Sequence, residues 1–175
     1  VGVTAGREYG EVFFTEPVAA ANFVTAVSKQ LPAGLILSGA SIASLDEPSL
    51  PAVINAARYN ASWAGLLPAP GEEVLQQALD QLLLRDEIIV YRDGKGGKAA
   101  PVNIRPYIFE TSLLRGDCGR AGVTMFLQLG GKGGVSPFVV LQQLNPGQEF
   151  TKENLWYLHR QGLFIYDGNK AANPF

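Results

Sequence analysis

Apolar residues recur along this chain at two spacings, and each spacing marks a type of element. Val12, Phe13 and Phe14 concentrate β-formers within residues 7–15, which predicts a strand there. Pro17 suits the first turn of a helix, and Ala20, Phe23, Val24, Val27 and Leu31 follow at helical spacing as one stripe to face a sheet. Pro32-Ala33-Gly34 stops that helix, and Leu35-Ile36-Leu37 begins the next strand. The first stretch thus reads as a β-α-β unit.

After a Pro-bounded turn at 47–51, Tyr59 and Trp63 mark a strand in the second part of 53–63, and Pro68 and Pro70 break the chain. Val74, Leu75, Ala78, Leu79 and Leu82 share one face of a helix over about 72–83, with Glu72 and Glu73 favouring its N-terminus. Residues 87–92 and 102–113 read as two strands of a hairpin turning at 93–97, and 122–129 as another strand. The glycine-rich loop 130–134 leads to Ser136-Pro137, which starts a helix with Val139, Val140 and Leu144 inward. Thr151 caps a short helix through Leu158, and 163–166 is a final strand. This order predicts an α+β fold: antiparallel sheets with helices on one face, in two ferredoxin-like halves, 1–67 and 68–150, with a C-terminal tail over 151–175.

Composition narrows the classes. With 47% hydrophobic and 17% charged residues, the 175-residue chain carries enough apolar surface for a core. No apolar run reaches the roughly 20 residues of a membrane helix. The net charge of −2 argues against a strongly basic nucleic-acid binder while allowing local basic loops. Cys118 and His159 are the only residues of their kinds. An internal disulfide framework is therefore excluded, a reducing, cytoplasmic setting is expected, and neither a structural zinc nor an iron–sulfur cluster has its ligands, so no cofactor is expected on this chain. Because Val1 opens directly onto Gly2-Val3, the chain reads as a piece whose N-terminal part is missing. An unpaired edge or uncovered apolar face is then expected near Tyr9 and Phe13.

The candidate chemistry is sparse. Arg105, between Ile104 and Pro106, is placed on a strand, where its fork either meets a phosphate or carboxylate or pairs with Glu8 or Glu11. Lys95 and Lys98 in one glycine loop and Lys132 in another either touch phosphates or keep hairpin tips soluble, and neither loop is a P-loop. Glu8 and Glu11 fall on opposite strand faces, which disfavours a dyad; Glu8 and Tyr9 then serve as sheet contacts. Asn55 precedes Arg58 and Tyr59 and suits a backbone-capping role. His159-Arg160 reads as a surface pair at a helix end, with no nucleophile or acid spaced to complete a triad.

Three segments carry a resemblance. Val1-Gly2-Val3 with Gly6-Arg7-Glu8-Tyr9, then Pro48-Ser49-Leu50 with Ile54-Asn55-Ala56-Ala57-Arg58-Tyr59, then Ile104-Arg105-Pro106-Tyr107-Ile108 resemble, in order, the motifs of the bacterial radical-SAM-linked domain of unknown function. Asn103 stands where that family has an acidic residue, Arg7 intrudes before Glu8-Tyr9, and an upstream segment is missing. The resemblance covers about residues 1 to 145 and implies a bacterial domain fused to, or encoded beside, a radical-SAM protein and near an RNA-processing nuclease. The expected function is a non-catalytic accessory or substrate-binding domain for that protein, with RNA as a candidate substrate held by Arg105, Tyr107, Glu8, Tyr9, Asn55, Lys95, Lys98 and Lys132. The alternatives are an RNA-modifying or RNA-processing enzyme with Arg105, Tyr107 and Glu8 in one pocket, and a protein-interaction module. No membrane partner is expected.

Overall fold

The structure, a computed structural model, describes residues 3–63, 71–93, 97, 99–115, 121–131, 133–144 and 156–174. The chain divides into two compact units, one of Val1–Tyr9 with Pro51–Phe175 and one of Gly10–Leu50.

The larger unit is built on a six-stranded sheet. Its strands are β1 (Val3–Ala5), β2 (Ala56–Trp63), β5 (Ile108–Arg115), β6 (Ala121–Gln128), β7 (Trp156–Tyr166) and β8 (Ala171–Ala172). They run in the order β1-β7-β2-β6-β5, with β8 also on β7, and all neighbours are antiparallel except β1 and β7. A separate hairpin pairs β3 (Ile89–Asp93) with β4 (Ala99–Asn103). This is the expected α+β class with antiparallel sheets. β2 lies between β6 and β7 in this sheet.

Alternation sets the two faces of this sheet, with register shifts where β7 passes Arg58 and Tyr59 and in β5 between Ile108 and Glu110. Ala57, Tyr59 and Ala61 of β2, Val123, Met125 and Leu127 of β6, and Leu158 of β7 turn to one side and are buried. Helix α3 (Glu72–Leu84) covers that side with Leu75, Leu79 and Leu82, and α4 (Pro137–Leu144) with Val140 and Leu141. Val74, assigned to the same stripe from spacing, points outward at 62% exposure. Pro137 opens α4 as expected, and the Ser136 carbonyl accepts the Val139 and Val140 N–H groups. No helix among the described residues is long and apolar enough to cross a membrane.

Several expected elements differ. The strand expected over 102–113 is two strands separated by a 3-10 turn at Arg105–Tyr107, because Pro106 has no N–H to give a ladder. Residues 156–158, expected to end a helix, belong with 163–166 to the single eleven-residue strand β7; residues 151–155 lie outside the described residues. Neither 7–15 nor 35–37 forms a strand, so the β-α-β unit does not form. Strand propensity depends on a pairing partner, and the smaller unit contains no strand to offer one. Its helix α1 (Ala20–Ser28) starts after Pro17 and keeps Ala20, Phe23, Val24 and Val27 half-buried on one side, with Phe23 edge-on to Phe14 at 5.7 Å. The stripe has no sheet to cover within that unit. The last turn before the larger unit continues, α2 (Leu50–Val53), begins where the Leu50 N–H donates to the Glu11 carboxylate at 2.7 Å.

Candidate functional site

The residues singled out by motif are mostly occupied in holding the fold. Arg105 sits in the 3-10 turn, where Nε donates to the Arg85 carbonyl at 3.1 Å, Nη1 to Ile108 at 3.0 Å and Nη2 to Leu83 at 3.0 Å. Two of these carbonyls belong to the end of α3, whose last C=O groups lack intrahelical partners. Asn103 completes the corner: its Oδ1 accepts the N–H groups of Ile88 and Arg105 at 3.0 and 3.1 Å. Arg105 thus binds carbonyls, with neither Glu8 nor Glu11 as its partner. Tyr107 lies against Gly133, where a Cβ would stand 2.6 Å from its hydroxyl and where φ is +108°. Only glycine fits that position.

Glu8 follows β1 and forms a forked pair with Arg160 of β7, Nη2 reaching both carboxylate oxygens at 2.6 Å and Nε one of them at 3.0 Å. Burial pulls the Arg160 pKa down, but hydrogen bonds and charge from Glu8 and Tyr59 outweigh it and leave the value raised. Tyr9 is half-buried beside this pair in the chain. Asn55 donates Nδ2 to the Tyr166 carbonyl and accepts the Tyr166 N–H on Oδ1, both at 2.8 Å, so it locks the approach to β2 onto β7. Lys95, Lys98 and Lys132, as well as Cys118, lie outside the described residues. The structure does not bring Arg105 and Tyr107 to Glu8: the former precede β5 and the latter follows β1, at opposite edges of the sheet with three strands between.

What the fold does assemble lies on the sheet face away from α3 and α4. Strand register sets Thr4 (β1) beside His159 (β7), His159 beside Asn60 (β2), Asn60 beside Thr124 (β6) and Thr124 beside Ser112 (β5). One hydrogen-bonding side chain from each of these five strands thus makes a row across the sheet, roughly 19 Å long at the usual strand spacing. Thr4 Oγ1 lies 2.8 Å from His159 Nδ1 and 3.0 Å from the Tyr157 hydroxyl, and Thr124 Oγ1 donates to Asn60 Oδ1 at 3.1 Å. His159 is therefore in mid-strand; the helix end expected for it does not form, because 156–166 has a pairing partner along its whole length in β2 and β8.

Below the row stands an aromatic group on the same face. Phe126 is buried among Phe109, Phe164 and Tyr166, with ring centroids 5.5, 5.7 and 5.1 Å away. The Arg58 guanidinium covers Phe126 at 4.8 Å while pairing with Glu110 at 3.3 Å. Tyr157, by contrast, is 53% exposed at the other flank of the row. Sequence reasoning missed Thr4, Asn60, Thr124, Ser112 and Tyr157 as a group. Among the described residues no group of three or more His, Cys, Asp or Glu is placed to hold a metal ion.

A family model described as "Uncharacterized protein conserved in bacteria (DUF2344)" matches residues 1–137, a span that takes in β1 through β6 and stops where α4 begins. No curated protein and no solved structure matches the chain.

Proposed function

The chain belongs to the DUF2344 family, and from that premise we propose that it is a non-catalytic accessory domain that binds and positions RNA for a radical-SAM protein, fused or separate, in the bacterial cytoplasm. The observation that carries the binding role is the row Thr4–His159–Asn60–Thr124–Ser112, on the sheet face opposite α3 and α4. Flat sheet faces that combine aromatic rings with hydrogen-bonding side chains suit unpaired bases, which stack on the rings and offer their edges to the polar groups. The radical-SAM connection rests on the three motif segments at 1–9, 48–59 and 104–108.

Filter binding of the folded chain to transfer RNA and ribosomal RNA fragments at low and moderate salt tests the reading. Binding that weakens in His159→Ala and Asn60→Ala, without loss of the fold, is the expected result. No binding at low salt refutes the RNA role and puts a protein partner ahead.

A further inference from the structure

Resting on the reading of this face as an RNA-binding surface, we propose that the site reads one unpaired base of single-stranded RNA, stacked on Tyr157 and contacted at its edge by Asn60 and His159. Tyr157 differs from the other rings of the face. Phe109, Phe126, Phe164 and Tyr166 pack on one another, whereas Tyr157 is an exposed residue of the face. It is also held in place: its hydroxyl meets Thr4 Oγ1 at 3.0 Å, and the same oxygen meets His159 Nδ1 at 2.8 Å. A ring fixed before binding loses little side-chain freedom when a base stacks on it.

The polar atoms left over lie beside that ring. His159 uses Nδ1 on Thr4, which leaves Nε2 for a ligand. Gly6 keeps the approach to Nε2 clear, since a Cβ there would stand 3.2 Å from it. Asn60 accepts Thr124 on Oδ1, so its amide N–H donors remain. Ser62 sits directly across from Tyr157, and Asn60 directly across from His159. Cross-strand neighbours stand about 5 Å apart, within the width of one base.

Charge selects the mode of contact. Arg58, Arg105, Arg115 and Arg160 are engaged with Glu110, backbone carbonyls, Glu72 and Glu8 respectively. The row itself carries no fixed charge. Such a surface takes hold of base faces and edges and makes few phosphate contacts, so binding should depend weakly on salt.

Fluorescence anisotropy of the full chain with a labelled single-stranded RNA and with its duplex form provides the test, with circular dichroism checking each variant's fold. The single strand should bind at least about tenfold tighter than the duplex. Tyr157→Ala should weaken it roughly 5- to 150-fold, the range of one lost stacking contact. Tyr157→Phe, which keeps the ring, should lose far less, and Asn60→Ala should lower affinity without changing the salt slope. That slope should be no steeper than about −1.4 in log K against log salt, the equivalent of two phosphate contacts. RNA binding that is unchanged in Tyr157→Ala and Asn60→Ala, or that is steep in salt, overturns this inference alone and moves the site to the basic loops. Absence of RNA binding by the folded chain overturns the proposed RNA function with it.

Discussion

Replacing Arg105 separates a structural arginine from a ligand-binding one. Its guanidinium makes three hydrogen bonds to backbone carbonyls, two of them partly buried and one exposed. A hydrogen bond to a charged group contributes about 1.5–3 kcal/mol net, and exposure reduces this. Taking the low end for the two partly buried bonds and little for the third gives about 3 kcal/mol for Arg105→Ala. Arg105→Lys keeps the charge near the end of α3 but reaches only one carbonyl at a time, which leaves a loss of about 1–2 kcal/mol. Urea unfolding followed by circular dichroism reads both values as a shift in midpoint at constant slope. The variants should unfold in the order Ala, Lys, wild type, and RNA affinity measured well below the transition should stay unchanged. A stability within about 0.5 kcal/mol of wild type for Arg105→Ala would refute the clamp, and so would intact stability combined with lost RNA binding.

Leu79 of α3 is 1% exposed, and Leu79→Ala should cost about 2–5 kcal/mol in the same urea experiment. Thr111 points its Oγ1 into a buried position without a hydrogen-bond partner, so Thr111→Val should raise stability by about 1 kcal/mol, and a loss would show that the hydroxyl is satisfied. Asp167 accepts the N–H groups of Lys170 and Asn169 at 2.8 and 2.9 Å, and these bonds lower its carboxyl pKa. The depressed value means that the turn before β8 is supported above the ordinary aspartate range and loses that support as pH falls through the lowered pKa. The protection of the Asn169 and Lys170 amides, taken relative to intrinsic exchange at each pH, should therefore fall only in acid, and Asp167→Asn should abolish that dependence.

The sequence rendered the larger unit more faithfully than the smaller one, for a physical reason. The pattern Ala57–Tyr59–Ala61 and the stripe Leu75–Leu79–Leu82 belong to elements that bury one face, so their periodicity carries the packing. The segment 10–50 offers equally apolar residues, yet Ile36 and Leu45 are 91% and 89% exposed. There, hydrophobicity and β-propensity have no sheet within the unit to act on, and the local pattern misleads. The helix expected at 151–158 fails in its last three residues by the same logic: Thr151 is an acceptable cap in sequence, but β2 offers residues 156–158 a ladder.

The candidate site was legible only in part because its residues become neighbours through register, and register is a property of pairs of strands. Arg58, Asn60 and Ser62 alternate with buried residues on β2, which marks a polar face, but nothing in that alternation points to His159, ninety-nine positions further along. Motif reading favoured the charged residues instead, and charge is where the fold spends its strongest bonds: Arg105 on α3, Glu8 on Arg160, Arg58 on Glu110. The uncharged residues of the row bond chiefly to one another, Thr4 to His159 and Tyr157 and Thr124 to Asn60, and none is tied up in an ion pair. An uncharged row on a sheet costs less to desolvate than buried ions and needs no ion pair to hold it, which is the ground for proposing a binding surface among Thr4, Tyr157, His159 and Asn60 and not among the arginines.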